Sequence, residues 1–170
     1  VEIQGKNGPS EISTKAEEML SRVPQLQDEN AIGNLAGINI YTDMQSWKQI
    51  CKDEGLERSG DHVGGFFNPA NNEIYLPVFS WSGQSGLVDV WVVSHEVGHV
   101  AEWGLDRQDR NIWKNLYGDD PKFDKHTNYS KTNEGEGFAD TYASYIAQGK
   151  NSSGWRSLNV MEDLLGKISP

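Results

Sequence analysis

Leu87-Val88-Asp89-Val90-Trp91-Val92-Val93-Ser94-His95-Glu96-Val97-Gly98-His99-Val100-Ala101-Glu102-Trp103-Gly104-Leu105 carries more information than any other segment of this 170-residue chain. Its apolar residues recur at helical spacing, and Gly104 supplies a stop. His95 and His99 are four apart, so one turn of helix presents both imidazoles from one face. Two imidazole nitrogens so placed reach a single tetrahedral zinc ion at about 2.0–2.1 Å. Glu96 lies about 100° round the helix from His95, too far to serve as a third ligand on that face. It can instead reach a water at the open coordination position, which pairs a Lewis acid with a general base. A chance match on surface or core histidines is the bland alternative. Against it, two of only four histidines fall in this strongly apolar helix.

A third ligand has to come from elsewhere. One zinc-protease pattern places a Gly three residues and a His six residues after the second His. Those positions hold Glu102 and Leu105, and Gly104 and Asp106 are out of register. The other common solution is a Glu on a later helix. Asn133-Glu134-Gly135-Glu136-Gly137-Phe138-Ala139-Asp140 offers two candidates. Glu136 is preferred, because Asp140 one turn later can accept the outer N–H of a metal-bound His and fix its tautomer. Glu134 has Phe138 at that spacing and stays the alternative. Alone, this acidic run would read as a dipole-favoured helix start.

Outward from these helices, residues 1–9 read as a flexible lead-in, and Ser10 as the cap of a helix that Pro24 closes. Gly37 to Thr42 alternates like a strand, and Asp43 can cap a short helix through Trp47, Ile50 and Cys51. Asn68-Pro69-Ala70-Asn71-Asn72 is a turn between Val63–Phe67 and Glu73–Leu76, which makes a hairpin. Residues 80–86 are a Ser/Gly loop. Asp106 to Tyr117 reads as a helix, 119–132 as polar and irregular, 138–146 as a strongly periodic helix, and 158–168 as a last short one. One α+β domain over residues 1–170 follows, with a short mixed sheet ahead of a mainly helical C-terminal half. Cys51 is expected to be a small core residue. His62 reads as a solvated loop residue, and Trp81, Trp103, Trp113 and Trp155 default to core packing.

Counted with Gly and without Tyr, the apolar share is about 43%, slightly under the ~45–50% of globular chains. The net charge of −10 argues against nucleic acid, which requires a basic face. It argues equally against a polybasic membrane anchor. No apolar run has the length of a membrane span. One cysteine leaves no intrachain disulfide and no multi-cysteine metal site. The chain opens Val1-Glu2-Ile3 without Met or an apolar leader, as expected of a processed or excised form. A secreted protein is the expectation, and a cytosolic one fits the same composition.

His-Glu-x-x-His at 95–99 followed by Glu136 and Asp140 resembles the gluzincin metallopeptidases. Among these, the chain looks most like the small lethal-factor-type catalytic domain shared with the Pro-Pro endopeptidases. Tyr129, seven residues before Glu136, stands where that family carries a Tyr pointing at the metal. Glu136-Gly137-Phe138-Ala139-Asp140 is similar to the family's ligand-helix start, with Gly137 in place of a bulky residue and Asp140 in place of another acid. The resemblance spans roughly residues 60–150 in element order. It implies a zincin-like fold, one zinc ion held by His95, His99 and Glu136, Glu96 as base and proton donor, and Tyr129 as donor to the oxyanion. His126 is the rival donor in the same loop. It also implies that Asn72, Glu73, Ile74 and Tyr75 form the edge strand that binds an extended peptide or protein substrate. The expected function is a zinc-dependent endopeptidase. The alternatives are a zinc amide hydrolase of cell-wall material and an inactive zinc-binding, toxin-like module.

Overall fold

The computed structural model describes residues 2–6, 35–56, 63–77, 90–125, 127–148 and 156–166. The helix expected from Ser10, the 80–86 loop, His62, Trp81, His126 and Trp155 lie outside these described residues. In chain order the elements are β1 (Glu2–Lys6), β2 (Gly37–Tyr41), α1 (Met44–Asp53), β3 (Phe66–Asn68), β4 (Glu73–Pro77), α2 (Val90–Gly104) and α3 (Arg107–Asp119). A 3-10 turn (Tyr129–Lys131), α4 (Glu134–Gln148) and α5 (Arg156–Gly166) follow. The described strands all lie in the first half of the chain, interrupted by α1, and the other helices follow, an α+β arrangement. No described helix is long and apolar enough to cross a membrane.

The local signals act as their chemistry dictates. Asp43 accepts the Ser46 N–H at 2.7 Å and starts α1. Asp106 accepts the Asp109 N–H at 2.8 Å and starts α3. Asn133 accepts the Glu136 N–H at 2.9 Å at the head of α4. In the hairpin turn, the Asn68 side chain accepts from the Ala70 N–H at 2.9 Å, and that of Asn71 from the Glu73 N–H at 3.2 Å. Asn72 closes the turn at φ 57°, a left-handed conformation that Asn tolerates better than most residues.

The sheet is mixed and runs β1-β2-β4-β3. β1 is parallel to β2, β2 is parallel to β4, and β3 is antiparallel to β4. Two expectations are corrected here. Residues 2–6 are not part of a flexible lead-in, because they pair with Gly37–Tyr41 along their whole length. Asn72, Glu73, Ile74 and Tyr75 do not form an open edge: Asn72 sits in the turn, and residues 73–75 are paired on both sides, by β2 and by β3. Among the described residues the edge on that side is β3.

Alternation along β2 and β4 sends Ile38, Ile40, Ile74 and Leu76 to one face. They share a core with Val93, Val97 and Val100 of α2, Phe138 and Tyr142 of α4, Trp113 of α3 and Met161 of α5. Burying each of the larger side chains stabilises the fold by roughly 1.5–3 kcal/mol. Tyr75 faces the opposite side, where it meets Trp47 and Cys51 of α1 and stacks on Phe66 at 4.7 Å between ring centroids. Cys51 and Trp113 are buried as expected, whereas Trp103 is 54% exposed. α2 and α4 pack backbone to backbone at Gly98. A Cβ there would lie 2.7 Å from the Ala139 Cα and 3.0 Å from the Tyr142 Cβ. This close crossing brings the head of α4 against the histidines of α2.

Candidate metal centre

The α2–α4 crossing puts the Glu136 Oε2 2.9 Å from the His95 Nε2 and 3.5 Å from the His99 Nε2. The three ligand atoms lie within 4.8 Å of one another. Ligands bound at about 2.0–2.1 Å around one tetrahedral ion sit about 3.4 Å apart, so the spacing fits. The donor set can therefore hold a metal ion. Among the described residues, no other His, Cys, Asp or Glu group brings three ligand atoms so close. Glu134 points elsewhere: its carboxylate pairs with the Lys114 Nζ at 2.7 Å, and its carbonyl accepts the Trp113 indole N–H.

Asp140 sits behind His95, with Oδ1 2.8 Å from Nδ1. An ionised carboxylate only accepts, so Nδ1 donates to Asp140, and Nε2, which donates to Glu136 while the ring is charged, is the nitrogen that faces the centre. The other oxygen, Oδ2, accepts from the Thr127 hydroxyl. Thr127 is locked to Ser130 in turn. The Ser130 N–H donates to the Thr127 Oγ1 at 2.9 Å, and the Ser130 hydroxyl donates to the Thr127 carbonyl at 2.8 Å. The Tyr117 hydroxyl holds the Ser130 carbonyl at 2.9 Å. The ring of Tyr117 occupies the space a side chain at 137 would need: a Cβ there would be 2.6 Å from its Cε2. Gly137 is thus required by the packing of the loop that carries Tyr129.

Charge in the metal-free chain is arranged around the triad. Burial opposes a charged His95, but hydrogen bonds to Asp140 and Glu136 outweigh it and push its pKa up to about 9. At His99 burial is likewise outweighed, chiefly by Glu102 and Glu136, and the pKa rises to about 10. Burial would raise Glu136, yet the two histidines hold it down at about 2. Asp140 is also lowered, since contacts with His95 and Thr127 overcome its burial. Glu96 goes the other way. Burial raises its pKa, although the Phe67 backbone N–H donates to it and the histidines are near.

Tyr129 lies 5.6 Å from His95 between ring centroids and is 57% exposed. Its pKa is pushed up to about 12, first by burial of the hydroxyl end and then by the charge of Glu136. Its hydroxyl therefore stays protonated at neutral pH. His95, Glu96, His99, Tyr129, Glu136 and Asp140 all line one cleft of about 720 Å³. Phe66 and Phe67 of β3, with Trp91 and Trp103 of α2, form apolar walls, and no Lys or Arg lines the cleft among the described residues. Asn72, Glu73, Ile74 and Tyr75 do not line it. Sequence reading missed Thr127, which had no spacing signal, and Phe66 and Phe67, whose role depends on strand order. No family model matches the sequence, and no curated protein matches it.

Proposed function

We propose that this chain is a zinc-dependent endopeptidase. The observation that carries the reading is the convergence of His95, His99 and Glu136 in an open cleft that also holds a buried carboxylate, Glu96, which is not one of the three. Two imidazoles and one carboxylate form a set typical of catalytic zinc, which keeps three protein ligands and one open position. Bound there, zinc supplies a Lewis acid that lowers the pKa of water and polarises a carbonyl. Glu96 takes a proton from the attacking water as its oxygen adds to the carbonyl carbon. It returns that proton to the amine nitrogen as the C–N bond breaks. Its raised pKa suits both halves of this role. Tyr129 donates its O–H to the oxygen that gains charge.

The substrate is an extended peptide lying along β3, which has no strand partner on its outer side among the described residues. The lethal-factor-type resemblance supports the same assignment of roles. A cleavage screen on denatured proteins and on cell-wall polymer tests the proposal. Chelator-sensitive, zinc-restored cuts within polypeptides are expected. Cleavage of the polymer alone, or no zinc uptake, would overturn it.

A further inference from the structure

His99 also has a carboxylate behind it. Its Nε2 faces Glu136, so Nδ1 points outward, and there the Glu102 Oε2 lies 3.9 Å away. Glu102 is three residues further along α2, the spacing that places side chains on one helical face. Its carboxylate is mostly enclosed, with 17% of the side chain exposed. The enclosing wall is the first turn of α4. A Cβ at Gly135 would stand 3.2 Å from one Glu102 oxygen and 3.7 Å from the other. A carboxylate at the start of a helix is also favoured by that helix's dipole.

We propose that Glu102 is a positioning residue for His99, holding its Nδ1–H as Asp140 holds that of His95, and that Gly135 is small so that this carboxylate fits. The inference rests on the reading of the triad as zinc ligands. A proton kept on Nδ1 leaves the Nε2 lone pair for the metal and fixes the plane of the ring. The two partners are not equivalent. Asp140 is at hydrogen-bond distance, 2.8 Å, whereas Glu102 at 3.9 Å must turn slightly to close the bond. Glu102 should therefore matter less than Asp140.

The test uses the full chain, with zinc affinity measured by competition with a chromophoric chelator at fixed pH. Proton NMR of the zinc-loaded protein follows the imidazole N–H signals. Loss of an outer partner weakens metal binding by roughly 10–100-fold, so Glu102→Ala should fall near the low end and Asp140→Ala near the high end. Glu102→Ala should lose the slowly exchanging N–H signal of His99 and keep that of His95. Glu102→Gln should recover both signal and affinity, because its amide oxygen still accepts. Should the Ala variant fail to fold, Glu102→Gln and Gly135→Ala carry the test. The first keeps the His99 signal, and the second displaces the carboxylate and loses it. Wild-type affinity with both signals intact in Glu102→Ala or Gly135→Ala refutes the role of Glu102 and leaves the triad standing. A wild-type chain that takes up no zinc refutes the triad and this role together.

Discussion

Replacing Gly98 by Ala tests whether helix contact sets the geometry of the metal centre. The added methyl would lie 2.7 Å from the Ala139 Cα and 3.0 Å from its carbonyl oxygen, where ordinary contacts begin at about 3.4 Å. Both atoms are backbone, so rotamer changes offer no relief, and α2 and α4 must separate by about 0.7 Å locally. Overpacking of this kind costs about 1–3 kcal/mol, and the Gly→Ala helix preference returns roughly 0.5–1 kcal/mol. The net loss of about 0.5–2 kcal/mol should lower Tm by about 1–8 °C. The functional effect should be larger, because Glu136 rides on α4 and its partners on α2. Metal sites tolerate about ±0.2 Å in ligand distance, a fraction of the forced shift. Zinc affinity should fall at least about tenfold, which corresponds to about 1.4 kcal/mol. Calorimetric melting with and without zinc, plus chelator competition, reads both effects. Gly118→Ala is the control, since a Cβ at 118 meets nothing within 4 Å. A Gly98→Ala chain that melts and binds zinc like wild type would refute this account.

Glu96→Gln should retain zinc and lose turnover by roughly 10²–10⁴-fold in a peptide-cleavage assay. The metal-free variant should also melt at a higher temperature at neutral pH, because a carboxyl whose folded pKa is raised costs the fold stability at pH above its ordinary pKa. Tyr129→Phe should lower kcat by roughly 10²–10³-fold with little change in KM or zinc content, as measured by steady-state kinetics and elemental analysis. Zinc uptake at pH 7 should release about two protons, since His95 and His99 have metal-free pKa values of about 9 and 10. Calorimetric titration in buffers of different ionisation enthalpy counts those protons. The same shifts make the histidines' contribution to metal-free stability complete below pH 6.5, their ordinary pKa. That contribution is lost as pH rises through 9 to 10, which melting against pH will show.

The parts of the centre that were legible in the sequence are those fixed by the period of a single helix. His95 with His99, and Glu136 with Asp140, are each one turn apart, and the structure joins the two pairs face to face. The end cap at Asp43 was legible for the same reason: it bonds within its own turn. What escaped depends on pairing between distant segments. Residues 2–6 alternate too briefly to mark a strand, and their partner begins at Gly37. Turn chemistry located the hairpin, but only the order of the sheet shows that β4 is interior and β3 its edge. Glu102 was visible at the right spacing from His99. Its position becomes informative once Gly135 of another helix is seen against it.

Asp140 limits what a protein engineer can place at that position. One of its oxygens accepts from the His95 imidazole and the other from the Thr127 hydroxyl. Asn has a single acceptor oxygen, so its NH₂ would either face the His95 N–H or force the Thr127 hydroxyl to turn from donor to acceptor. Glu is a methylene longer and would enter space that is already filled, since Asp140 is only 2% exposed. Any replacement therefore has to change the bond to the ligand ring or the bond to the loop that carries Tyr129. A library randomised at residue 140 should return chiefly Asp wherever selection demands both.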